Sequence, residues 1–466
     1  MEKGYLDGPY DIPPYSVYRI SPIGISQGKY SEKYRLIVDL SSPRNQSSET
    51  SINDLIDKDE YSLQYVRIDD AITILKTLGS ESLMCKTDIV DAFKLIPIAK
   101  DVQPYYGIKW REKYFFYKRL VFGCRSSPKI FDMLSQAICW IIQNNYNVRN
   151  ILHLLDDFIT FDPPGEGGLR SMAVLTMVFK KLEIPISEKK TVGPDTVIEY
   201  LGIILDSKIM ESRIPLEKVD RILTLINNLR VKKSCTKREL LSVLGHFNFA
   251  ARVIPAGRSF TSYLLTLAHS VSELHYHVYL TSECRKDLAM WEKFLQGWNG
   301  KSFFLEEYVT DTTDISLFTD ASSNHGFGGY YAGRWFQGKW PEEIHNLGND
   351  PISMALLELY PIVVAVVLWG HEWSGKRIKF LCDNLATVQI IRKRRSKSAI
   401  IMKLMRKLTW KSACENFLIL CDHVPGKENV IADSLSRFQM ARFREAAPTA
   451  SKDPVNIPSL QELVLY

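Results

Sequence analysis

The 466-residue sequence lacks several patterns that would assign it to a class directly. Its eight cysteines form no Cys-x-x-Cys pair, and no histidine spacing suggests a zinc site. Most of the cysteines lie inside apolar runs, which favours buried, reduced thiols. We therefore expect an intracellular protein, cytoplasmic or nuclear, that has neither a zinc site nor a disulfide framework.

Long apolar runs are also missing. The most hydrophobic stretch, residues 359–369, is shorter than the roughly 20 apolar residues that span a bilayer. The residues that follow Met1 lack the apolar core of a signal peptide. We predict a core helix over the apolar stretch and no membrane partner.

Neither charge sign dominates the sequence. Lys plus Arg exceed Asp plus Glu by 59 to 53, which gives a formal net charge of +6. This small excess permits a nucleic-acid partner without requiring one. The content of 45% hydrophobic and 24% charged residues is typical of globular proteins, and the length predicts two to four domains.

The sequence does contain two adjacent aspartates inside an apolar stretch, residues 150–162. The pattern predicts two short buried strands with Asp156 and Asp157 at the bend. Neighbouring like charges are costly there unless a cation compensates them, and a divalent metal ion is the usual one. An exposed acidic turn is the alternative for such a pair taken alone.

A second acidic segment lies upstream. Residues 83–85 predict a strand that ends on Asp88, and Asp91 follows where the chain turns into a helix. If this strand pairs with the hairpin, we expect Asp88, Asp91 and Asp156 to converge on metal.

These segments resemble the palm motifs of reverse transcriptases. Asp-x-x-Asp-Ala-Phe from Asp88 is similar to the first motif, and Leu-x-Asp-Asp ending at Asp157 is similar to the third. Residues 120–131, with a Phe-Gly turn and a Ser-Pro helix start, resemble the second motif. The resemblance implies an α/β (α+β) chain with the fingers, palm and thumb of a right-hand polymerase, and RNA- and DNA-directed DNA synthesis.

The resemblance also implies roles for individual residues. Asp88, Asp156 and the carbonyl of Ile89 would bind two metal ions, with Asp157 assisting. The implied nucleotide contacts are Lys29, Arg35, Asp91, Ala92, Phe93, Phe122, Gly123 and Lys190, and the implied primer grip is Tyr200, Leu201 and Gly202. Phe93 would exclude a 2′-hydroxyl as a steric gate.

Alternatives remain for several of these residues. Lys29 and Arg35 also fit a solvated hairpin, and Phe93 also fits an ordinary core position. Lys189 competes with Lys190, and both also fit a solvated pair. The family usually shows Pro-Lys-Lys near Lys29 and an aromatic residue where this chain has Leu154.

Beyond the palm the pattern becomes helical. Apolar residues follow helical spacing after Pro215, and Thr236 to Glu239 predicts a capping box. Residues 306–314 are expected to form a linker. The predicted segments are a lead-in (1–20), fingers and palm (21–210), a helical thumb and connection (211–305), a second domain (312–440) and a mobile tail (441–466).

A second set of acids lies in residues 312–440. Asp320 and Asp383 end predicted strands, Glu358 opens the apolar helix, and Asp433 lies in a late helix. Four such carboxylates suit a two-metal nuclease. Their order resembles ribonuclease H, so the resemblance implies a ribonuclease H-like domain. Two interpretations remain for His423: it acts in product release, or it lies on the last strand of the domain without a catalytic role.

The resemblance implies Mg²⁺ as cofactor, with Mn²⁺ as a substitute. The implied partners are an RNA template, a DNA primer, an RNA/DNA hybrid and dNTPs. Residues 35–54 resemble DIRS-type retroelements in particular. A template-primer-binding protein without turnover is the competing class, favoured by Leu154 and the altered finger lysine. The basic run 391–397 fits a hybrid contact, a nuclear import signal or a solvated helix end. The sequence does not predict the oligomeric state.

Overall fold

The computed structural model describes residues 3–27, 34–44, 50–165, 167–298, 301–303, 309–311, 317–346, 352–425 and 429–465. The chain divides into two compact units, Met1–Glu211 and Ser212–Tyr466. Apart from Glu211, the segments that were predicted as separate domains, 211–305 and 312–440, therefore lie in the second unit.

The first unit combines short strands with three longer helices. Its strands are β1 (Leu6–Tyr10), β2 (Ile23–Gln27), β3 (Tyr34–Val38), β4 (Leu83–Asp88), β5 (Gly107–Trp110), β6 (Lys113–Tyr117), β7 (Ile151–Leu154), β8 (Asp157–Asp162), β9 (Val192–Asp195), β10 (Val197–Tyr200) and β11 (Ile203–Asp206). Its α-helices are α1 (Ile68–Leu78), α2 (Ser127–Tyr146) and α3 (Gly167–Lys181).

The central sheet of this unit has the strand order β7-β8-β4-β9, and its neighbouring strands are antiparallel. Helices α2 and α3 pack on it around Phe131, Phe158 and Phe179, each 0% exposed. Burying one such ring contributes about 1.5–3 kcal/mol. This apolar layer fixes the strand ends that carry Asp88 and Asp157.

The remaining strands of this unit pair outside the central sheet. β2 pairs antiparallel with β3, and β10 pairs antiparallel with β11. A third sheet has the order β1-β6-β5. Residues 1–20 were expected to be irregular, but Leu6–Tyr10 forms a strand because its backbone pairs with β6, Leu6 lying opposite Tyr117.

From Glu211 onward the chain has a helical part and a mixed part. The strands are β12 (Glu211–Arg213), β13 (Ser234–Thr236), β14 (His277–Tyr279), β15 (Lys301–Phe303), β16 (Val309–Asp311), β17 (Leu317–Ala321), β18 (Phe327–Tyr331), β19 (Arg334–Gly338), β20 (Arg377–Cys382) and β21 (Leu418–His423). The helices are α4 (Leu216–Arg230), α5 (Lys237–Ala250), α6 (Ser262–His269), α7 (Ser282–Trp298), α8 (Met354–Trp369), α9 (Leu385–Lys393), α10 (Ala399–Cys414), α11 (Val430–Ser436), α12 (Met440–Ala446) and α13 (Leu460–Leu463).

The helical part begins as the sequence predicts. Thr236 and Glu239 form the capping box at the start of α5, and each accepts a backbone hydrogen bond from the other. Trp291 of α7 stacks on Phe247 of α5 with ring centroids 4.4 Å apart. The two rings are 0% exposed and join the helices into one core.

The mixed part contains two sheets, an antiparallel one of order β17-β18-β19 and a parallel one of order β16-β20-β21. Residues 306–314 were expected to form a linker. This expectation was wrong at Val309–Asp311, whose backbone pairs in parallel with Arg377, Ile378 and Lys379. The polar composition of the segment hid this strand.

Helix α8 is the core of the mixed part. The helical stretch Met354–Trp373 is long and apolar enough to cross a membrane by length and composition, but 78% of its apolar window is buried within the protein. It is longer than the sequence analysis allowed, since it begins before Glu358 rather than at it. Its burial agrees with the predicted core helix.

The C-terminal segment is packed, which corrects the expected mobile tail at 441–466. Phe443 and Leu463 are 0% exposed. The indole of Trp335 donates a 2.8 Å hydrogen bond to the carbonyl of Ser451, and the Leu465 amide donates to Lys403. Few apolar side chains suffice to anchor this polar segment because they enter existing cores.

Candidate active sites

The paired aspartates lie at a hairpin turn, as predicted. β7 and β8 are antiparallel, with Leu154 opposite Asp157. Leu155, at φ 53°, adopts the left-handed conformation that reverses the chain. The side chains of Phe158 and Ile159, which follow the two acids, are fully buried and hold β8 in the core. The acids therefore project from a rigid base.

Strand β4 brings the upstream acid to the same place. Asp88 lies opposite Asp157 in the β4–β8 ladder, and the Ile89 amide donates a 3.0 Å hydrogen bond to the Asp156 carbonyl. Asp88, Asp156 and Asp157 are thus brought together in what we call the palm cluster. Ile89 directly follows Asp88, so its backbone lies next to the palm cluster.

Two lysines partly neutralise the palm cluster. The Lys190 ammonium lies 2.7 Å from Asp88 Oδ2, and that of Lys86 lies 3.8 Å from Asp157 Oδ1. Burial raises the pKa of Asp156, and Asp88 raises it further. Burial likewise raises the pKa of Asp157, opposed by Lys86. An added cation would therefore stabilise the ionised carboxylates of the palm cluster.

Asp91 does not join this cluster through its side chain. Its carboxylate accepts hydrogen bonds from Lys3 at 2.6 Å and from the Tyr5 hydroxyl at 2.9 Å. The expected convergence of Asp91 with Asp88 and Asp156 on metal is therefore corrected. Its implied role in nucleotide binding remains a prediction.

The predicted nucleotide residues form an aromatic surface beside the cluster. Ala92–Leu95 form a single 3₁₀ turn, and the ring of Phe93 stacks on Phe122 with centroids 4.8 Å apart. Gly123 has φ 97°, and a Cβ there would lie 2.8 Å from the Val38 carbonyl oxygen. A side chain at this turn would displace the finger strand from the second motif.

The predicted primer-grip residues form the β10–β11 turn. Leu201 and Gly202 have φ values of 49° and 79°, as a tight two-residue hairpin requires. Tyr200 is fully buried. Lys29 lies outside the described residues, and of Arg35 only the backbone in β3, opposite Ser26, is described.

The second set of acids lines a cavity of about 380 Å³ in the second unit. Asp320 comes from β17, Glu358 from α8, Asp433 from α11, and Asp383 directly follows β20. We call these four residues the acidic cavity. Glu358 was expected to open its helix, but it lies inside α8, which begins at Met354.

A glycine allows α11 to approach the sheet. Gly328 lies opposite Asp320 in the β17–β18 pair, and a Cβ on it would lie 2.4 Å from Leu435 Cβ. The close contact also lets the Ser436 hydroxyl donate a 2.6 Å hydrogen bond to Asp320 Oδ2. The absence of a side chain at Gly328 thus places Asp433 near Asp320.

Two carboxylates of the acidic cavity, those of Glu358 and Asp320, have raised pKa values. Burial raises the pKa of Glu358 to about 9, and Asp320 and Asp383 add to the rise. Burial raises the pKa of Asp320 to about 7. Burial also acts on Asp433, but hydrogen bonds from Arg437 and Arg442 bring its pKa below the ordinary value.

These donors fit a hard divalent cation. Ligand atoms of Glu358, Cys382 and Asp383 lie within 4.8 Å of one another. Burial strongly raises the pKa of the Cys382 thiol, so it stays protonated and is a poor ligand. The carboxylates remain, and oxygen donors suit Mg²⁺ and Mn²⁺.

His423 lies at the end of β21, which agrees with its placement on the last strand. Its Nε2 is 3.1 Å from the Asp383 carbonyl oxygen, and the residue is exposed. The contact is to the backbone of a cavity residue rather than to its carboxylate.

Sequence reasoning missed several neighbours of the acids. Lys86 shares a strand face with Asp88, two residues on, so the period of β4 could have revealed it. Arg437 follows Asp433 by one helical turn, which was also a usable signal. Arg442 gave none, because α12 was not predicted.

The sequence is similar to a protein family and to several polyproteins. Residues 27–205 match the family model described as reverse transcriptase (RNA-dependent DNA polymerase). The chain is 24% identical over 380 residues to a putative enzymatic polyprotein of Cassava vein mosaic virus, covering 78% of this chain and 54% of that protein. It is 24% identical over 204 residues to the Gag-Pro-Pol polyprotein of Human T-cell leukemia virus 2, covering 42% and 13%.

The transposon Tf2-3 polyprotein of Schizosaccharomyces pombe is 20% identical over 371 residues, 78% of this chain and 26% of that protein. The chain thus spans 13 to 54% of the length of these three relatives.

Two solved structures share the fold. The foamy viral protease-reverse transcriptase bound to RNA/DNA hybrid is 19% identical with a TM-score of 0.51, covering 90% of this chain and 51% of that one. Its dRH form bound to double-stranded DNA has the same identity and TM-score and covers 90% and 67%. The chain therefore has the reverse transcriptase polymerase fold, and residues 27–205 are a reverse transcriptase domain of the kind found in retroelement and viral polyproteins.

Proposed function

We propose that this chain is an RNA- and DNA-directed DNA polymerase that also cleaves the RNA strand of RNA/DNA hybrids. The observation that carries the polymerase proposal is the palm cluster, in which Asp88 faces Asp157 and the Asp156 backbone binds Ile89. A reverse transcriptase domain that keeps all three acids together has the side chains needed for nucleotidyl transfer.

In the polymerase, Asp88, Asp156 and the Ile89 carbonyl would hold the metal ions, and Asp157 would add negative charge. When bound, two Mg²⁺ ions lower the pKa of the primer 3′-hydroxyl and neutralise the triphosphate. The raised pKa values of Asp156 and Asp157 support this assignment, because both acids gain from an added cation.

The chain's own side chains would select and release the nucleotide. Phe93 is buried against Phe122 and Phe131, so its ring is held in place as a steric gate against a 2′-hydroxyl. Of the two candidate lysines, Lys190 is the one on Asp88, where it can give a proton to the departing pyrophosphate. The template selects the base by pairing.

The nuclease proposal rests on the acidic cavity. Its carboxylates come from two strand ends and two helices and would hold two Mg²⁺ ions around an RNA phosphate. One of the similar solved structures, the foamy viral protease-reverse transcriptase, was bound to an RNA/DNA hybrid, which supports such a substrate. We also place the chain among DIRS-type retroelement proteins, on the finger residues Arg35 to Asp54.

Primer extension on poly(rA)/oligo(dT) with Mg²⁺ tests the polymerase. Asp156→Asn removes a palm carboxylate, and we expect extension to fall at least about 10³-fold. Asp162→Asn, at the other end of β8, is the matched control and should extend normally. Equal extension by Asp156→Asn and the parent would refute the site. Binding of template-primer without extension by the parent would leave the binding-protein alternative.

A labelled RNA/DNA hybrid tests the nuclease. Asp383→Asn should reduce RNA cleavage about 10³-fold because the acidic cavity loses a ligand. Asp422→Asn is the control, since Asp422 pairs with Lys379 of the adjacent strand β20 and with Arg392 of α9. Unchanged cleavage by Asp383→Asn would remove the acidic cavity as the nuclease site.

A further inference from the structure

The nucleotide pocket begins at a residue with an unusual backbone. Asp91 has φ 54° and ψ 29°, in the left-handed region, directly before the 3₁₀ turn Ala92–Leu95. Side-chain-bearing residues adopt this region rarely. An aspartate at a helix start ordinarily caps that helix through its own carboxylate, but the Asp91 carboxylate makes no capping hydrogen bond.

That carboxylate is held by the start of the chain. Lys3 and Tyr5 donate hydrogen bonds to the same oxygen, Oδ2, at 2.6 and 2.9 Å. Tyr5 is fixed in turn, because its carbonyl accepts a 2.9 Å hydrogen bond from the Lys118 amide and β1 follows immediately. The contact therefore spans 88 residues of sequence and anchors Asp91 to the β1-β6-β5 sheet.

The far end of the turn is anchored to the same region. Arg119 Nη1 donates a 2.8 Å hydrogen bond to the Leu95 carbonyl, and Lys94 Nζ donates a 2.7 Å bond to the Leu120 carbonyl. The turn that carries Phe93 is thus fixed at both ends. Among the described residues that lie before the fingers, Lys3 and Tyr5 donate hydrogen bonds to Asp91 at the start of this turn.

We propose that Lys3 and Tyr5 are positioning residues for the nucleotide pocket. By holding Asp91 they fix the turn that presents the Ala92 backbone and the Phe93 ring to the incoming nucleotide. This inference rests on the proposed polymerase function. It assigns a role in substrate selection to residues that were expected to form an irregular lead-in.

The charges support the same role. The Lys3 ammonium lies 2.6 Å from Asp91 Oδ2, so a positive charge sits directly on this carboxylate. An unpaired carboxylate at this position would repel the triphosphate of a nucleotide, whereas the Lys3 pair cancels that charge. Tyr5 adds a directional bond that a lone lysine cannot supply.

The test compares the parent with the double variant Lys3→Met/Tyr5→Phe. The matched control is Asp11→Asn, which removes another ion pair between this segment and β6, that of Asp11 with Lys113, and leaves Asp91 untouched. Lys3→Arg with Tyr5 intact is the conservative rescue. Hydrogen–deuterium exchange of the Lys94 and Ile96 amides, which close the turn, is measured together with steady-state kinetics.

In the double variant we expect these amides to exchange about tenfold faster. We also expect the KM for dNTP to rise about tenfold, the kcat to stay within about twofold, and discrimination against ribonucleotides to weaken. Lys3→Arg and Asp11→Asn should match the parent in all four.

Unchanged exchange in the double variant would overturn the inference, whether or not the chain polymerises. Faster exchange with an unchanged KM and unchanged discrimination would also overturn it, because the turn would then be irrelevant to the nucleotide. Faster exchange in a chain whose parent has no polymerase activity would support the anchoring of the turn and refute the proposed function instead.

Discussion

The two acidic sites handle their charge in different ways. In the palm cluster, lysines lie on the acids, with Lys190 on Asp88 and Lys86 near Asp157. In the acidic cavity, the charged groups that act on Glu358 are the two acids Asp320 and Asp383. The palm thus carries lysines on the acids that face each other in the sheet. In the cavity, the arginines Arg437 and Arg442 pair with Asp433, and Glu358 is left with acidic neighbours.

This difference predicts different behaviour with pH. Burial and neighbouring acids give Asp320 a pKa of about 7 and Glu358 a pKa of about 9, so protons compete with metal ions in the cavity at neutral pH. In the palm, Lys86 opposes the rise in the pKa of Asp157.

A buried ion pair in the second unit allows the largest test. Arg406 and Asp287 form a 3.2 Å ion pair, and both side chains are 0% exposed. Burial raises the pKa of Asp287 and Arg406 lowers it. Arg406→Met should remove that compensation and destabilise the unit by about 3–5 kcal/mol, measured by chemical denaturation.

The control for this prediction is Arg406→Met/Asp287→Leu, which removes both charges. It should recover most of the lost stability, because an apolar pair replaces the ion pair. If the single variant is as stable as the parent, buried carboxylates in this unit do not need a cation and the comparison fails.

The second test removes the internal cation of the palm. Lys190→Met should lower the kcat of primer extension about 10²-fold, since Lys190 is the general acid that we assign and also balances Asp88. Lys189→Met is the matched control. Equal losses in the two variants would show that general positive charge, rather than the contact to Asp88, is what matters.

The third test concerns pH and metal-free stability. Because the folded pKa of Glu358 lies above its ordinary value, its contribution to stability is complete below about pH 4.5 and is lost as the pH rises to about 9. In EDTA, the Tm of the parent should therefore fall between pH 6 and pH 9 by about 5 °C more than the Tm of Glu358→Gln.

Added Mg²⁺ should reduce this excess fall in the parent, because the metal stabilises the ionised carboxylates. Asp422→Asn, whose carboxyl lies outside the cavity, should follow the parent. An identical pH dependence in Glu358→Gln and the parent would mean that Glu358 is ionised in the fold without metal.

Local patterns made much of this architecture predictable. The Asp156-Asp157 hairpin and the strand ending at Asp88 follow from short apolar runs, and the α5 capping box follows from Thr236 and Glu239. The four residues of the acidic cavity were also named from the sequence, by their places at predicted strand ends and in helices and by the resemblance of their order to ribonuclease H, and the structure places all four around one cavity.

The contacts between distant segments were not predictable. The bonds from Lys3 and Tyr5 to Asp91 depend on β1 pairing with β6, which no local period encodes. The bond from Arg442 to Asp433 depends on a C-terminal segment whose polar composition suggested mobility. Such contacts are set by tertiary structure, and a single sequence carries little signal for them.

The most direct test of two separate sites uses one substrate, an RNA template annealed to a DNA primer with both strands labelled. Asp156→Asn should cleave the RNA without extending the primer, and Asp383→Asn should extend the primer without cleaving the RNA. Loss of both reactions in either variant, with the fold intact by circular dichroism, would contradict the assignment of one reaction to each acidic site.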